Sequence, residues 1–312
     1  MKISVIISTK NRTKELRMCL MTILRNTFTQ FEIILIDQST NNETKVMVKQ
    51  FASKRIRYRH TDRSGQTIGI NIGIRMAKGD IYVFTDDDYV IPRTWLSTIH
   101  KTYKRLSYID GLSGQVLPYT PTKSKKHCVC PALYQSKKER LITTVGPTVH
   151  SSENGFGKGA NMSFRKEVVD TLGGFKEWLG PGAKGASAGN ETEFIYRAIR
   201  NKFQLYFLPA LVVYHNRWLT KQESESLRST KIQGYTAFIT YHMIKNLDVS
   251  LFDGLFRFRW LCMPTIKAFI HLLFGKSRLT PEDVDSFRLS YGLAKGITIG
   301  AFYAIRDVVT FR

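Results

Sequence analysis

Three consecutive aspartates, Asp86-Asp87-Asp88, end the run Gly79-Asp80-Ile81-Tyr82-Val83-Phe84-Thr85. Residues 81–84 are short, apolar and β-favouring, which predicts a buried strand. Three carboxylates at the carboxyl end of such a strand repel one another unless a cation or a set of donors compensates them. In an open α/β sheet that end is also where ligands bind. A hard divalent cation, held by one or two carboxylates and by substrate phosphates, meets both demands. The plain alternative is a solvated acidic turn.

The acids need a scaffold, and the flanking pattern supplies one. Strands at 3–8, 31–36, 56–60 and 81–84 alternate with helices expected at 13–26, 43–52 and 67–77. In the first helix Leu16, Cys19, Leu20, Ile23 and Leu24 recur at helical spacing. This alternation implies βαβ units and an α/β fold with a mainly parallel central sheet flanked by helices. Residues 91–150 read as irregular and basic, an exposed loop or insert. A glycine-rich approach at 155–164 then leads into a strand, and a helix at 166–172 is closed by Gly173-Gly174. A loop at 180–189 precedes a helix at 191–201, and strands at 203–207 and 211–214 are split by Pro209. From Trp218 onward the pattern is helical, with aromatic and basic residues mixed.

Composition narrows the partners. A hydrophobic content of 43% and an aromatic content of 12% exclude a disordered chain. The formal charge of +22 over 312 residues calls for a polyanion: nucleic acid, an anionic membrane or a phosphorylated substrate. No nucleic-acid reader motif is present, and the aspartate triplet would repel a phosphate backbone, so nucleic acid is set aside. Cys19, Cys128, Cys130 and Cys262 are too scattered for a disulfide framework. His127-Cys128-Val129-Cys130 lacks a second pair at zinc-ligand spacing. A reduced, cytoplasmic compartment is expected. The N-terminus does not read as a signal peptide, and no apolar run reaches the ~18 residues of a spanning helix.

Taken in order, the motifs resemble the family 2 glycosyltransferases, which have the GT-A fold. Ser4-Val5-Ile6-Ile7-Ser8-Thr9-Lys10-Asn11-Arg12 is similar to that family's opening strand and loop, and Ile36-Asp37-Gln38-Ser39 to its second-strand aspartate. Asn71-Ile72-Gly73-Ile74 and Ala77-Lys78-Gly79-Asp80 resemble the approach to its metal-binding strand, and Asp86-Asp87-Asp88 stands where its Asp-x-Asp motif stands. Gly173-Gly174-Phe175-Lys176-Glu177 and Asn190-Glu191-Thr192-Glu193-Phe194 resemble its acceptor-side segment, with Pro209 and His215 at its late proline and histidine. The resemblance covers residues 3 to about 218. It implies a catalytic domain over 1–218, with a nucleotide-sugar half at 1–110 and an acceptor half at 111–218, followed by a basic, aromatic-rich helical extension at 219–312.

The implied activity is inverting transfer of a sugar from a nucleotide-diphospho-sugar, foremost a UDP-sugar, to a hydroxyl of a glycan or lipid-linked acceptor in polysaccharide or glycoconjugate synthesis. The resemblance assigns a Mn or Mg ion to Asp88 and to Asp86, which could contact the ribose instead; His215 could be a further ligand of the metal or of the diphosphate, or a plain surface histidine. The resemblance assigns the nucleotide sugar to Thr9, Asn11, Arg12, Asp37, Asn71, Asp86 and Asp87. The plainer alternative for Asp37 and Asp87 is a turn cap. The family often has Arg where this chain has Ile70. Glu191 is the expected general base, with Glu193 as rival; either acid could instead simply pair with Arg197. Asn190 replaces an acid usual in the family, which leaves a non-catalytic nucleotide-sugar-binding relative as the alternative. Trp178 could stack on a sugar or belong to the core, and loop 180–189 could close over the donor. Residues 256–264 and 266–274 have the composition of interfacial helices, so the extension is expected to rest on an anionic membrane surface, peripheral to the inner face of the cell membrane.

Overall fold

The computed structural model of the chain describes residues 1–142, 155–248, 251 and 281–309. Two compact units emerge: Met1–Glu177 with Glu193–Lys221, and Trp178–Thr192 with Gln222–Arg312.

The first unit is built on one nine-stranded sheet. Its strands are β1 (Ile3–Thr9), β2 (Phe31–Asp37), β3 (Ile56–His60), β4 (Ile81–Phe84), β5 (Tyr89–Val90), β6 (Gly111–Pro118), β7 (Arg140–Ile142), β8 (Met162–Arg165) and β9 (Leu205–His215). The order is β3-β2-β1-β4-β8-β6-β9-β5, with β7 pairing β9 from outside that path. From β3 to β4 all pairings are parallel; β8 then enters antiparallel against β4 and β6. Strands β1, β2 and β4 are buried almost throughout, and most of their residues are Ile, Val, Leu and Phe. Such continuous apolar runs mark strands covered on both faces.

Helices α1 (Thr13–Leu24), α2 (Glu43–Gln50) and α3 (Gln66–Met76) return the chain between the parallel strands. Gly69 and Gly73 explain how closely α3 lies on β1. A Cβ at Gly69 would stand 2.1 Å from Ser8 Oγ, and one at Gly73 2.5 Å from Ile6 Cγ2. Helix α5 (Lys166–Leu172) ends at Gly173, whose φ of +73° is the left-handed cap that glycine adopts without strain.

Two expectations need correction. Residues 91–150 are not an irregular insert throughout. Helix α4 (Trp95–Arg105) buries Trp95, Leu96, Ile99, Thr102 and Tyr103, and β6 lies in the middle of the sheet. The lysines and arginines on the helix's solvent face obscured its apolar stripe, and the glycines of β6 concealed a strand. Nor does Pro209 split the last strand: β9 is continuous, and the proline sits at a bulge. There Leu208 pairs with Gly114 and Val212 with Gln115, and Pro209 O accepts from Gln115 Nε2 at 2.9 Å. A bulge tolerates proline because the ladder is already interrupted.

In the second unit, loop 178–189 accompanies helix α7 (Lys221–Lys245) and helix α8 (Pro281–Val309), while α6 (Asn190–Arg200) runs on into the first unit. Trp178 is core here, 5% exposed and stacked on Tyr303 at 4.5 Å. Gly292, Gly296, Gly300 and Ala304 form a stripe of small residues along α8. Beta carbons at Gly296 and Gly300 would stand 1.9 Å from Thr236 Oγ1 and 2.3 Å from Ala237 O of α7. The two helix backbones therefore touch. The expected interfacial segments 256–264 and 266–274 lie outside the described residues. Among the described residues no helix is long and apolar enough to cross a membrane.

Gly296→Leu should wedge α7 from α8 and cost about 1–3 kcal/mol of stability by overpacking. Thr298→Leu, on the exposed side of the same helix, should leave the urea midpoint unchanged. Equal midpoints for both variants would contradict this packing.

Candidate active site

The loop between β1 and α1 is the first element that builds the site. Asn11 takes a φ of +54°, a left-handed conformation that asparagine tolerates better than most residues. It is held there by two bonds: its N–H donates to Ser39 Oγ at 2.8 Å, and its Oδ1 accepts from Thr40 N at 3.0 Å. This turn presents Arg12 to the end of β4.

There Arg12 bridges two acids. Its Nη1 donates to Asp87 Oδ1 at 2.7 Å and its Nη2 to Asp88 Oδ2 at 2.8 Å. Thr9, the last residue of β1, donates its hydroxyl to Asp87 Oδ2 at 2.6 Å. Asp87 and Asp88 are buried; Asp86 is half-buried and accepts from Gln66 Nε2 at 2.6 Å.

The second cation arrives by strand pairing. Strand β5 immediately follows the triplet and pairs antiparallel with the end of β9, setting Tyr89 opposite His215. Their rings stack with centroids 4.5 Å apart and planes 6° from parallel. His215 Nε2 lies 3.3 Å from Asp88 Oδ2, and Nδ1 lies 2.7 Å from Pro131 O. Both ring nitrogens face acceptors, an arrangement that fits the doubly protonated imidazolium.

The electrostatics follow from this geometry. Burial alone would lower the pKa of His215, but the hydrogen bond and charge of Asp88 prevail and raise it to about 10. Burial pushes Asp87 up to about 6, with the Asp88 charge adding to the rise and Arg12 opposing it. Asp88 is also buried, yet the bond to His215 and the Arg12 guanidinium hold it well below the usual carboxylate range. Desolvation works against the charge of the half-buried Arg12, but Asp88 and Asp87 prevail and hold it more firmly protonated.

The other expected residues fall elsewhere in the chain. Asp37 is 0% exposed, its Oδ1 accepting from Ser39 N and its Oδ2 from Tyr58. Its carboxylate is engaged as the turn cap. Asn71 donates to Phe175 O and accepts from Phe175 N, tying α3 to the segment after Gly173-Gly174. Glu193 is fully buried, with both oxygens on Arg197 at 2.7 and 2.8 Å. That is the ion-pair reading, not the one expected of a proton acceptor. Glu191, two residues earlier on α6, is half-buried and belongs to the second unit. Gln66, Tyr58, Tyr89 and the Pro131 carbonyl were not anticipated; only Tyr89, adjoining the triplet, carried any sequence signal.

The donor set suits a divalent cation in kind: carboxylates and an imidazole are ligands for Mg²⁺ or Mn²⁺. Among the described residues no three such side chains are already drawn together as an ion cage. Mg²⁺ commonly takes one or two carboxylates and completes its shell with substrate phosphates, so the residues fit without a preformed cage. His215 would have to release its Nε2 proton to become a ligand.

Comparison with known proteins supplies the context. Residues 4–173 match the profile of the family described as Glycosyl transferase family 2. The chain is 30% identical over 114 residues to the uncharacterized glycosyltransferase YibD of Escherichia coli (strain K12), an overlap of 36% of this chain and 32% of YibD. It is 28% identical over 102 residues to glycosyltransferase GlyG of Streptococcus pneumoniae, covering 32% of this chain and 34% of GlyG. The matches thus span about a third of the length of these curated relatives. Among solved structures, mannosyltransferase PcManGT from Pyrobaculum calidifontis, in complex with GDP-Man and Mn²⁺, superposes with a TM-score of 0.57 at 14% identity, covering 98% of this chain and 87% of that one. S. aureus TarS 1–349 with UDP-GlcNAc gives a TM-score of 0.57 at 16% identity, covering 99% and 92%. At such identities the likeness is one of fold.

Removing Arg12 should expose how the acids are balanced. The contribution of Asp87 to stability is complete below its ordinary value near 3.8 and fades as pH rises through about 6. That of His215 is complete below 6.5 and is lost as pH rises toward 10. Arg12→Met should therefore destabilise by about 3–5 kcal/mol at pH 8, as breaking a buried ion pair does. The deficit should shrink toward pH 5 as Asp87 takes up a proton. A deficit independent of pH across this range would contradict the assignment.

Proposed function

The chain belongs to glycosyl transferase family 2 and is a transferase of the GT-A fold; from that premise we propose that it moves a sugar from a nucleotide-diphospho-sugar to an acceptor hydroxyl, with inversion at the anomeric carbon. One observation carries the reading: Asp87 and Asp88 at the carboxyl end of β4 are compensated by Arg12 and His215, and the Arg12 guanidinium is a cation that a donor diphosphate can also use.

A divalent cation on Asp86, Asp88 and His215 would supply Lewis-acid charge to the departing diphosphate. The protein's own groups do the rest. Arg12 transfers from Asp88 to the diphosphate oxygens, for which a guanidinium is a matched donor. Asp87 stays on Thr9 and keeps the β4–β5 turn in place. Asn11 and Thr9 line the entry of the nucleotide, and Asp37 with Tyr58 forms the floor beneath the base. Asn71 acts as a positioning residue through Phe175. Glu191 accepts the proton of the acceptor hydroxyl as that oxygen bonds to the anomeric carbon. The bond from that carbon to the diphosphate oxygen breaks in the same displacement, so configuration inverts.

The donor class is supported by the fold neighbours, described with GDP-Man, UDP-GlcNAc and UDP. We assign a UDP-sugar as donor, a glycan or lipid-linked acceptor, and a working position at the cytosolic face of a membrane. The net charge of +22 favours a site beside anionic headgroups.

Glu191→Gln should reduce transfer by about 10²–10⁴-fold, the span of a general base, with donor affinity unchanged. Asp88→Asn should weaken Mn²⁺-dependent binding of UDP in calorimetry as well as turnover. If Glu191→Gln turns over normally, the base is another group. If Asp88→Asn binds UDP and Mn²⁺ as the wild type does, the triplet is not the diphosphate site.

A further inference from the structure

The face of α8 turned away from its glycine stripe has a composition of its own. Val284, Arg288, Tyr291, Lys295, Thr298, Phe302, Ile305 and Val309 follow one another at steps of three and four, so they line a single side of the helix. All eight are exposed. The large apolar members are strongly so: Tyr291 65%, Phe302 60%, Ile305 57% and Val309 64%. Such residues, aligned rather than scattered, are uncommon on a surface that meets only water.

The charges on this face have one sign. Arg288 and Lys295 stand in the row, and Arg306 adjoins it. The described acids of α8 lie off it: Asp285 lies 3.8 Å from Arg288 Nη1, and Asp307 accepts from Tyr241 of α7 and from Arg306 Nη2, each at 2.7 Å. The opposite side is fixed by backbone contact with α7, so the exposed row cannot turn inward.

We propose that this face of α8 docks on an anionic lipid bilayer, Phe302, Ile305 and Val309 entering the headgroup boundary while Arg288 and Lys295 meet lipid phosphates. The inference rests on the membrane-face reading above and names the surface responsible. An apolar stripe edged by Lys and Arg is the composition of a helix that lies in the interface. Charge favours this occupant over a parallel second copy of the chain: such a pairing along the row would set Arg288 against Arg288 and Lys295 against Lys295, whereas anionic headgroups neutralise both.

The test uses the full chain and sedimentation with vesicles of phosphatidylcholine alone or with phosphatidylglycerol added, at low and high salt. Wild type should bind only the phosphatidylglycerol vesicles and release in high salt. Arg288→Gln with Lys295→Gln should weaken that binding about 30-fold, the two charges at about 1 kcal/mol apiece. Phe302→Glu with Ile305→Glu should abolish it while far-ultraviolet dichroism stays unchanged. Wild-type binding that survives in both double variants would assign docking to another surface and overturn the inference, leaving the membrane reading intact. Absence of wild-type binding would remove both. A dimer in size-exclusion chromatography that Phe302→Glu with Ile305→Glu dissociates would give the face to a second copy and overturn it equally.

Discussion

The structure turns on how Asp87 and Asp88, buried at the end of β4, are kept beside one another. Two like charges in a low-dielectric setting are unfavourable unless opposite charge stands within a few ångströms. Here it comes from two distant parts of the chain, Arg12 after β1 and His215 at the end of β9. That requirement explains features that look unrelated. The left-handed Asn11, its bonds to Ser39 and Thr40, the short strand β5 and the Tyr89–His215 stack each bring a cation to the triplet. A site held together by exchangeable ion pairs can also be opened by a ligand that brings its own charges. Diphosphate and a divalent cation bring both signs at once.

The family assignment gives this arrangement its chemical meaning, and the fold gives it a location. Parallel strands β1, β2 and β4 deliver Thr9, Asp37 and the triplet to one edge, where an open α/β sheet receives its ligand. Burial differs among the acids in a useful way. Asp86 is partly open, Asp88 is tied to both cations, and Asp87 is the one pushed toward protonation. Their environments separate three chemically identical side chains into different roles.

Much of the first ninety residues was legible because local periodicity reports local structure. The strands at Ile56–His60 and Ile81–Phe84 and the helix at Lys166–Leu172 lie where the sequence put them. The middle was opaque for a physical reason: β6 and β9 are held by pairings almost a hundred residues apart, to which no short window is sensitive. Pro209 was misleading, since its usual effect on a strand is cancelled at a bulge. At the site, the triplet, Arg12 and His215 were visible as residues. Their mutual contacts were not, because an arginine expected on phosphate and an arginine clamping two aspartates look alike in sequence. Of the two acids of α6, Glu193 pairs with Arg197 through both oxygens, as the i,i+4 spacing allowed; its complete burial was not legible in the sequence.

The central claim is that the triplet receives a cation and a diphosphate by displacing Arg12 from Asp88. A crystal structure with Mn²⁺ and a non-hydrolysable UDP-sugar tests it directly. The account predicts an anomalous manganese peak within about 2.2 Å of an Asp88 oxygen, at ordinary metal–oxygen distance. It also predicts that the Arg12 guanidinium has moved onto the diphosphate. A nucleotide bound elsewhere, with Arg12 still bridging Asp87 and Asp88, would contradict it.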